Sequence, residues 1–366
     1  MMTGRDSSPP AVTSPALPWR IRLLISVFSL VHRATLRSDG TVNRRLFSFF
    51  DSPVSPNPKP IRGVRTADVT VDPARNLWFR LFLPAAASDG RLPVLVFFHG
   101  GGFILFSPSS KLYDDVCRWF CREVSAAVVS VNYRLSPEHR CPAAYDDGLE
   151  VLRFLGSHPA DREGGPPLLR EFFQAADLSS CFIVGDSAGG NIAHHVARRW
   201  SSGEAPPIQR RVALAGLVAL QPFFGGEERV DSEIRHAGAP MVNTKWTDWM
   251  WRAFLPEGGG RDHQAASPEG ATAGLGEGFP PAMVVTGGFD PLLDWQRRYY
   301  EGLRRAGTEA GLAEYPGSNH GFFAFPELED AQALMKDLKA FVQEQQRKQL
   351  QQPQQGGDKD VDGAMG

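Results

Sequence analysis

Cysteine is scarce in this 366-residue chain, and the four present, Cys117, Cys121, Cys141 and Cys181, have no spacing with histidine that would make a zinc site. So few thiols exclude a disulfide scaffold and read as reduced core residues in a reducing compartment, with Cys117 and Cys121 on one face of a helix. Net charge is nearly absent as well, since 39 basic residues meet 41 acidic ones. Without a clustered basic excess, nucleic acid is not an expected partner, and a small neutral ligand is more natural. Long apolar runs are missing too. The best, Leu23 to Val31, is nine residues flanked by Arg20, Arg22, His32 and Arg33, far too short to span a bilayer. No repeat with a period of about 20 to 50 residues appears, which removes solenoids and propellers. No ligand cluster supports a metal site.

What is present is the composition of a globular protein with an ample core, 42% hydrophobic and 22% charged. Residues 1–18, rich in Ser and Pro, and 346–366, rich in Gln, lack an apolar period and are expected to be disordered tails. Between them, 19–345 reads as one domain. Leu24, Val27, Phe28 and Val31 recur at helical spacing, which predicts an amphipathic helix lying on the rest of the protein, within an N-terminal lid over 19–66. The same stretch has a rival reading. Residues 1–66 hold ten Arg or Lys against three acids, the bias of an organelle transit peptide. Discounting that reading, the reduced cysteines suggest a cytoplasmic protein, with the nucleus also open.

From residue 68 onward strands and helices alternate, the α/β pattern of a parallel sheet covered on both faces. Strands are expected within 69–83, at 94–98, 126–133, 181–185, 212–223, 282–287 and 311–315, and helices at 144–155, 188–200, 295–305 and 331–346. The rhythm lapses over 225–278, where the apolar, Trp-rich segment Trp246 to Leu255 suggests a cap-like insertion above the sheet.

Gly185-Asp186-Ser187-Ala188-Gly189 follows an apolar strand and precedes a helix. In that context the G-x-S-x-G string is a strained turn that lifts a serine hydroxyl over the C-terminal edge of a sheet. Ser187 is therefore the candidate nucleophile. His99-Gly100-Gly101-Gly102-Phe103 follows another strand, and its glycines let backbone N–H groups approach a developing oxyanion. Gly101, Gly102 and the N–H of Ala188 are the expected donors. A phosphate loop would end in Lys and Ser or Thr, which this one lacks.

A serine hydroxyl needs a base. Of nine histidines, His320 stands in a loop after the last expected strand, whereas His194 and His195 lie along the helix leading away from Ser187, and His99 braces the glycine loop. Asp290, just past the strand at 282–287, is the favoured orienting acid over Asp294, which falls inside the next helix. The order Ser187, Asp290, His320 is the one used by a strand–turn–helix hydrolase. Phe103, Phe224 and Phe322 are expected to wall the substrate site, though aromatic residues at such places are as often plain core.

These residues resemble the plant carboxylesterases of the hormone-sensitive-lipase-like branch of the α/β hydrolases, over roughly residues 19–345. The likeness rests on His99 to Phe103, Asn132 to His139, Pro142 to Asp147, Gly185 to Asn191, Asp290 to Leu292 and Asn319 to Phe322. It implies an α/β-hydrolase fold, an oxyanion hole from the glycine loop, and Ser187, Asp290 and His320 as a triad. It further implies hydrolysis of a small ester without a cofactor. The same family includes the gibberellin receptors, whose lid segment is similar to Leu36 to Arg44 here. That similarity favours a lid over a targeting peptide and opens a second reading, a hormone-binding receptor that would engage a protein partner. The receptors, however, carry an apolar residue where this chain has His320, and a serine where it has Gly102.

Overall fold

The computed structural model describes residues 14–86, 90–157, 165–204 and 212–351. Eight strands form one sheet: β1 (Val64–Asp72), β2 (Leu77–Pro84), β3 (Leu92–Phe98), β4 (Ala127–Asn132), β5 (Ala176–Asp186), β6 (Leu214–Leu220), β7 (Ala282–Phe289) and β8 (Ala310–Asn319). Their spatial order is β1-β2-β4-β3-β5-β6-β7-β8. β2 pairs antiparallel with both β1 and β4, and every other pairing is parallel. All seven residues of β3 are buried, because a parallel sheet covered on both faces leaves no polar side.

The helices are α1 (Trp19–Thr35), α2 (Arg44–Ser48), α3 (Lys111–Val124), α4 (Ala143–Ser157), α5 (Pro167–Ala175) and α6 (Ala188–Arg199), followed by α7 (Asp231–Arg235), α8 (Thr244–Phe254), α9 (Pro268–Thr272), α10 (Leu293–Arg305) and α11 (Glu329–Gln351). The two-residue period of the strands sorts the core into two layers. Val94, Val96 and Ile183 join Leu149 of α4, Ile192 of α6 and Tyr299 of α10. Leu95, Phe97 and Phe182 join Phe120 of α3 and Leu338 of α11 on the opposite face.

The expected elements are all found, with their ends moved, and α2, α5, α7, α8 and α9 are additional. Two boundaries differ from the sequence reading. α11 continues to Gln351, past the boundary at residue 345, because polar contacts hold it where apolar periodicity has ended. Lys348 pairs with Glu309 and Glu344, and Gln349 Nε2 donates to the Ser179 carbonyl at 3.0 Å. At the other end residues 14–18 are described and lead into α1; the remainder of the expected tails, 1–13 and 352–366, lies outside the described residues. The insertion at 225–278 holds three helices, of which α8 buries Met250, Trp251 and Phe254.

Candidate active site

β5 ends at Asp186 and α6 begins at Ala188, so the chain reverses on Ser187 alone, at φ 52° and ψ −119°. That conformation is costly for a residue with a side chain and persists only where its surroundings enforce it. Here they do. A Cβ on Gly185 would lie 2.1 Å from the Gly189 carbonyl oxygen, and one on Gly189 would lie 1.9 Å from that of Phe98. Backbone occupies the space on both sides, which is the physical content of the two glycines in the motif. Gly189→Ala is expected to destabilise the fold by about 3 kcal/mol, because backbone cannot step aside as a side chain would. The shift of its urea midpoint at unchanged slope measures the effect.

Asp290 sits one residue beyond β7 and is fully buried. Its Oδ1 accepts the Leu292 N–H at 2.9 Å. Its Oδ2 meets His320 Nδ1 at 2.7 Å and accepts from Gln296 Nε2 at 2.8 Å and Gln221 Nε2 at 3.1 Å. His320 follows β8 directly. Burial pulls its pKa down, but the charge of Asp290 and its hydrogen bond, with a smaller push from Asp186, outweigh burial and hold it above 6.5. Asp294 serves elsewhere, where its Oδ2 accepts the Ser232 N–H at 2.7 Å and anchors α7.

Sequence reasoning passes over Gln221 and Gln296. Gln221, with φ 45°, is the first residue past β6 and is fully buried. Besides reaching Asp290, its Nε2 donates to the Asn319 carbonyl at 3.2 Å and its Oε1 accepts the Gly321 N–H at 2.7 Å. One amide therefore clamps the loop on both sides of His320. The available signal was a lone amide at the C-terminal end of an apolar strand, the edge from which Ser187 and Asp290 also project.

The glycine loop after β3 is held by Asp186. Its Oδ1 accepts the Gly100 N–H at 2.8 Å, and its Oδ2 accepts the Tyr113 hydroxyl at 3.0 Å. Burial raises the Asp186 carboxyl to about 7, against those two donors, which favour its charged form. His99 is buried, stacks on Tyr133 at 4.4 Å, and places Nδ1 2.8 Å from the Gly100 carbonyl oxygen, as a brace for the loop. Gly101 and Gly102 have φ of 102° and 63°, and a Cβ on Gly101 would lie 2.6 Å from the Leu105 carbonyl oxygen. Ala188 is buried at the start of α6. His194 and His195 pack within the helical layer, His194 against Tyr299 and Ala271, and His195 stacked on Tyr145.

Ser187, His320, Gly101 and Gly102 line a cavity of about 410 Å³. Its walls are mostly apolar and include Ile25 and Phe28 of α1, Phe47 of α2, and Met250 of α8. The three aromatic residues expected there are elsewhere. Phe103, at φ 66°, turns inward and stacks on Phe254, Phe224 stacks on Tyr299, and Phe322 packs on Tyr315. All three are core, and the cavity is lined instead by their chain neighbours Phe223 and Phe323, with Phe106. Adjacent residues in a loop or a single 3-10 turn project in different directions, so an error of one residue exchanges wall for core. The N-terminal segment is fastened to this site. Arg44 donates to the Ile104 and Ser136 carbonyls at 2.7 and 2.9 Å and pairs with Glu138, and Trp249 Nε1 donates to the Arg37 carbonyl at 3.0 Å.

A family model described as the alpha/beta hydrolase fold matches residues 95–324. The chain belongs to the α/β-hydrolase fold family. Within it, a gibberellin receptor of Arabidopsis thaliana is 39% identical over 356 residues, covering 93% of this chain and 98% of the receptor. Carboxylesterase 20 of the same plant is 37% identical over 302 residues, covering 77% and 86%. Among solved structures, an esterase of Pyrobaculum calidifontis is 27% identical with a TM-score of 0.63, covering 90% of this chain and 94% of that one. This α/β hydrolase is thus similar both to receptors and to esterases, and the groups around Ser187 must decide between them. Among its described residues no helix is long and apolar enough to cross a membrane.

Proposed function

We propose that this α/β hydrolase is a serine carboxylesterase that cleaves a small or medium apolar carboxylic ester through an acyl-serine intermediate. The observation that carries the reading is the His320–Asp290 pair at 2.7 Å, in the wall of the cavity that also exposes Ser187 and the glycine loop. His320 accepts the Ser187 proton as Oγ attacks the ester carbonyl, and the N–H groups of Gly101, Gly102 and Ala188 receive the oxyanion. His320 then hands that proton to the leaving alcohol. Water, activated by the same imidazole, attacks the acyl-serine and releases the acid. Each step is a proton or acyl transfer, so no cofactor is required. A fluorophosphonate probe should label the protein once, with the modified peptide carrying Ser187; labelling at any other serine overturns the assignment.

Gln221 is proposed as a positioning residue in this mechanism. Gln221→Ala frees one side of the His320 loop and strands the Gly321 N–H, so kcat should fall about 10²-fold with KM little changed, the signature of a misaligned base. An unchanged kcat, or a loss confined to KM, speaks against that role.

A second reading is ligand capture under a lid formed by residues 19–66, with gibberellin-type ligands suggested by the receptor relatives. The outward face of α1 favours it, since Trp19, Leu23 and Leu30 are exposed and offer a surface that a protein partner could cover. Equilibrium binding of a gibberellin separates the two: tight binding without turnover would establish the receptor, and no detectable binding fits the esterase.

A further inference from the structure

Behind His320 lies a second cavity of about 450 Å³, bounded by residues of α1 and by the chain that follows α7. It shares Ile25, Met241, Val242 and His320 with the first, so the two adjoin at those residues. Their chemistry differs. The first is largely apolar and includes Asp51 and Asp186 along with Lys111, whereas the second presents Arg22, Arg235 and His236, with no Asp or Glu among the described residues that line it. Arg229, close by in sequence, is neutralised by Glu233 and Asp248. No ion pair among the described residues involves Arg22 or Arg235. Two exposed arginines from different helices thus line one pocket with no ion pair among the described residues, an arrangement that suits a planar anion.

The position of this pocket says which part of a substrate would reach it. In an acyl-serine mechanism the histidine protonates the leaving oxygen, so the alcohol portion of the ester lies against His320 and the acyl portion stays with Ser187. We infer that the side pocket receives the far end of the leaving alcohol and that this end carries a carboxylate. The substrate class is then a carboxylic ester of a hydroxy acid, apolar on its acyl side and anionic on its alcohol side. Met241, unbranched and shared by both cavities, is the side chain that the alcohol displaces on entry. The inference rests on the esterase reading and amends it in one respect, since the ester is then apolar on its acyl side alone.

The test compares 4-acetoxybenzoate with 4-acetoxybenzamide, which share an acetyl group and a ring and differ in the charge of the leaving alcohol. Each kcat/KM is divided by the rate of the same ester with hydroxide, to remove the difference in leaving-group reactivity. The parent should prefer the benzoate by about tenfold, the scale of one charge-assisted contact in a partly solvated pocket. In the Arg22→Ala, Arg235→Ala double variant the ratio should fall to about one, through the KM of the benzoate, and Arg235→Lys should retain part of the preference. A parent ratio of one or below, or a ratio that the double variant leaves intact, overturns the inference. Hydrolysis of the benzamide without preference for the benzoate sinks this proposal alone. If neither ester is cleaved, the esterase reading falls and takes the substrate class with it.

Discussion

Ser187→Ala should lower kcat on a short-chain nitrophenyl ester by about 10⁶-fold, erasing the burst that the parent shows in its first turnover. The size follows from the lack of any other activated nucleophile in the mechanism. Without Oγ only oriented water is left, aided by the oxyanion donors, and those retain a far smaller acceleration. Stability should barely move, because Ala meets the same backbone strain at φ 52° as Ser and the enclosing Gly185 and Gly189 contacts are untouched. A folded, soluble Ser187→Ala protein that hydrolyses the ester as fast as the parent would end the mechanism.

Asp290→Asn is expected to lower kcat by about 10⁴-fold with the fold retained. Asp290 Oδ2 accepts from His320, Gln296 and Gln221, and the first of these bonds keeps the imidazole proton on Nδ1 and leaves Nε2 free to take the proton of Ser187. An amide at 290 can donate to Nδ1 instead, which puts the imidazole proton on Nε2 and removes the base. The pH profile gives an independent check, and its sign is fixed. The neutral imidazole is the active form, and the carboxylate holds its pKa above 6.5, so parent kcat/KM should fall as pH drops through a value above 6.5. In Asp290→Asn the charge is gone while burial remains, and burial favours the neutral ring. The acid limb should therefore move below 6.5 although the plateau is lower. An unmoved limb would mean that the titrating group is not His320; Asp186, raised to about 7, would be the group to examine next.

Much of this site was legible along the chain because its parts are local. A strand, a one-residue turn and a helix within 176–199 define the elbow, and the glycines of that turn are required by backbone approach rather than by any distant partner. Asp290 and His320 could be placed at strand ends because the apolar runs before them mark those ends. Gln221 was not legible in the same way. An amide after an apolar strand has no distinguishing local pattern, and it acquires a role only when β6, β7 and β8 are laid side by side.

The cavity wall shows the same limit more sharply. Sequence alone determined that aromatic residues cluster near the glycine loop, near β6 and near His320, yet it chose Phe103, Phe224 and Phe322, which are core, over the neighbouring Phe223 and Phe323, which line the space. Fold class, the elbow and the order of the three polar groups depend on short-range pattern, which a single chain carries in full. The direction of a side chain in a loop, the reach of α1 across the site and the pairing of charge in the second cavity depend on contacts between residues far apart in the chain. Only the packed tertiary structure brings those groups within range of one another, and it alone decided what walls the catalytic space and which charges around it remain unmatched.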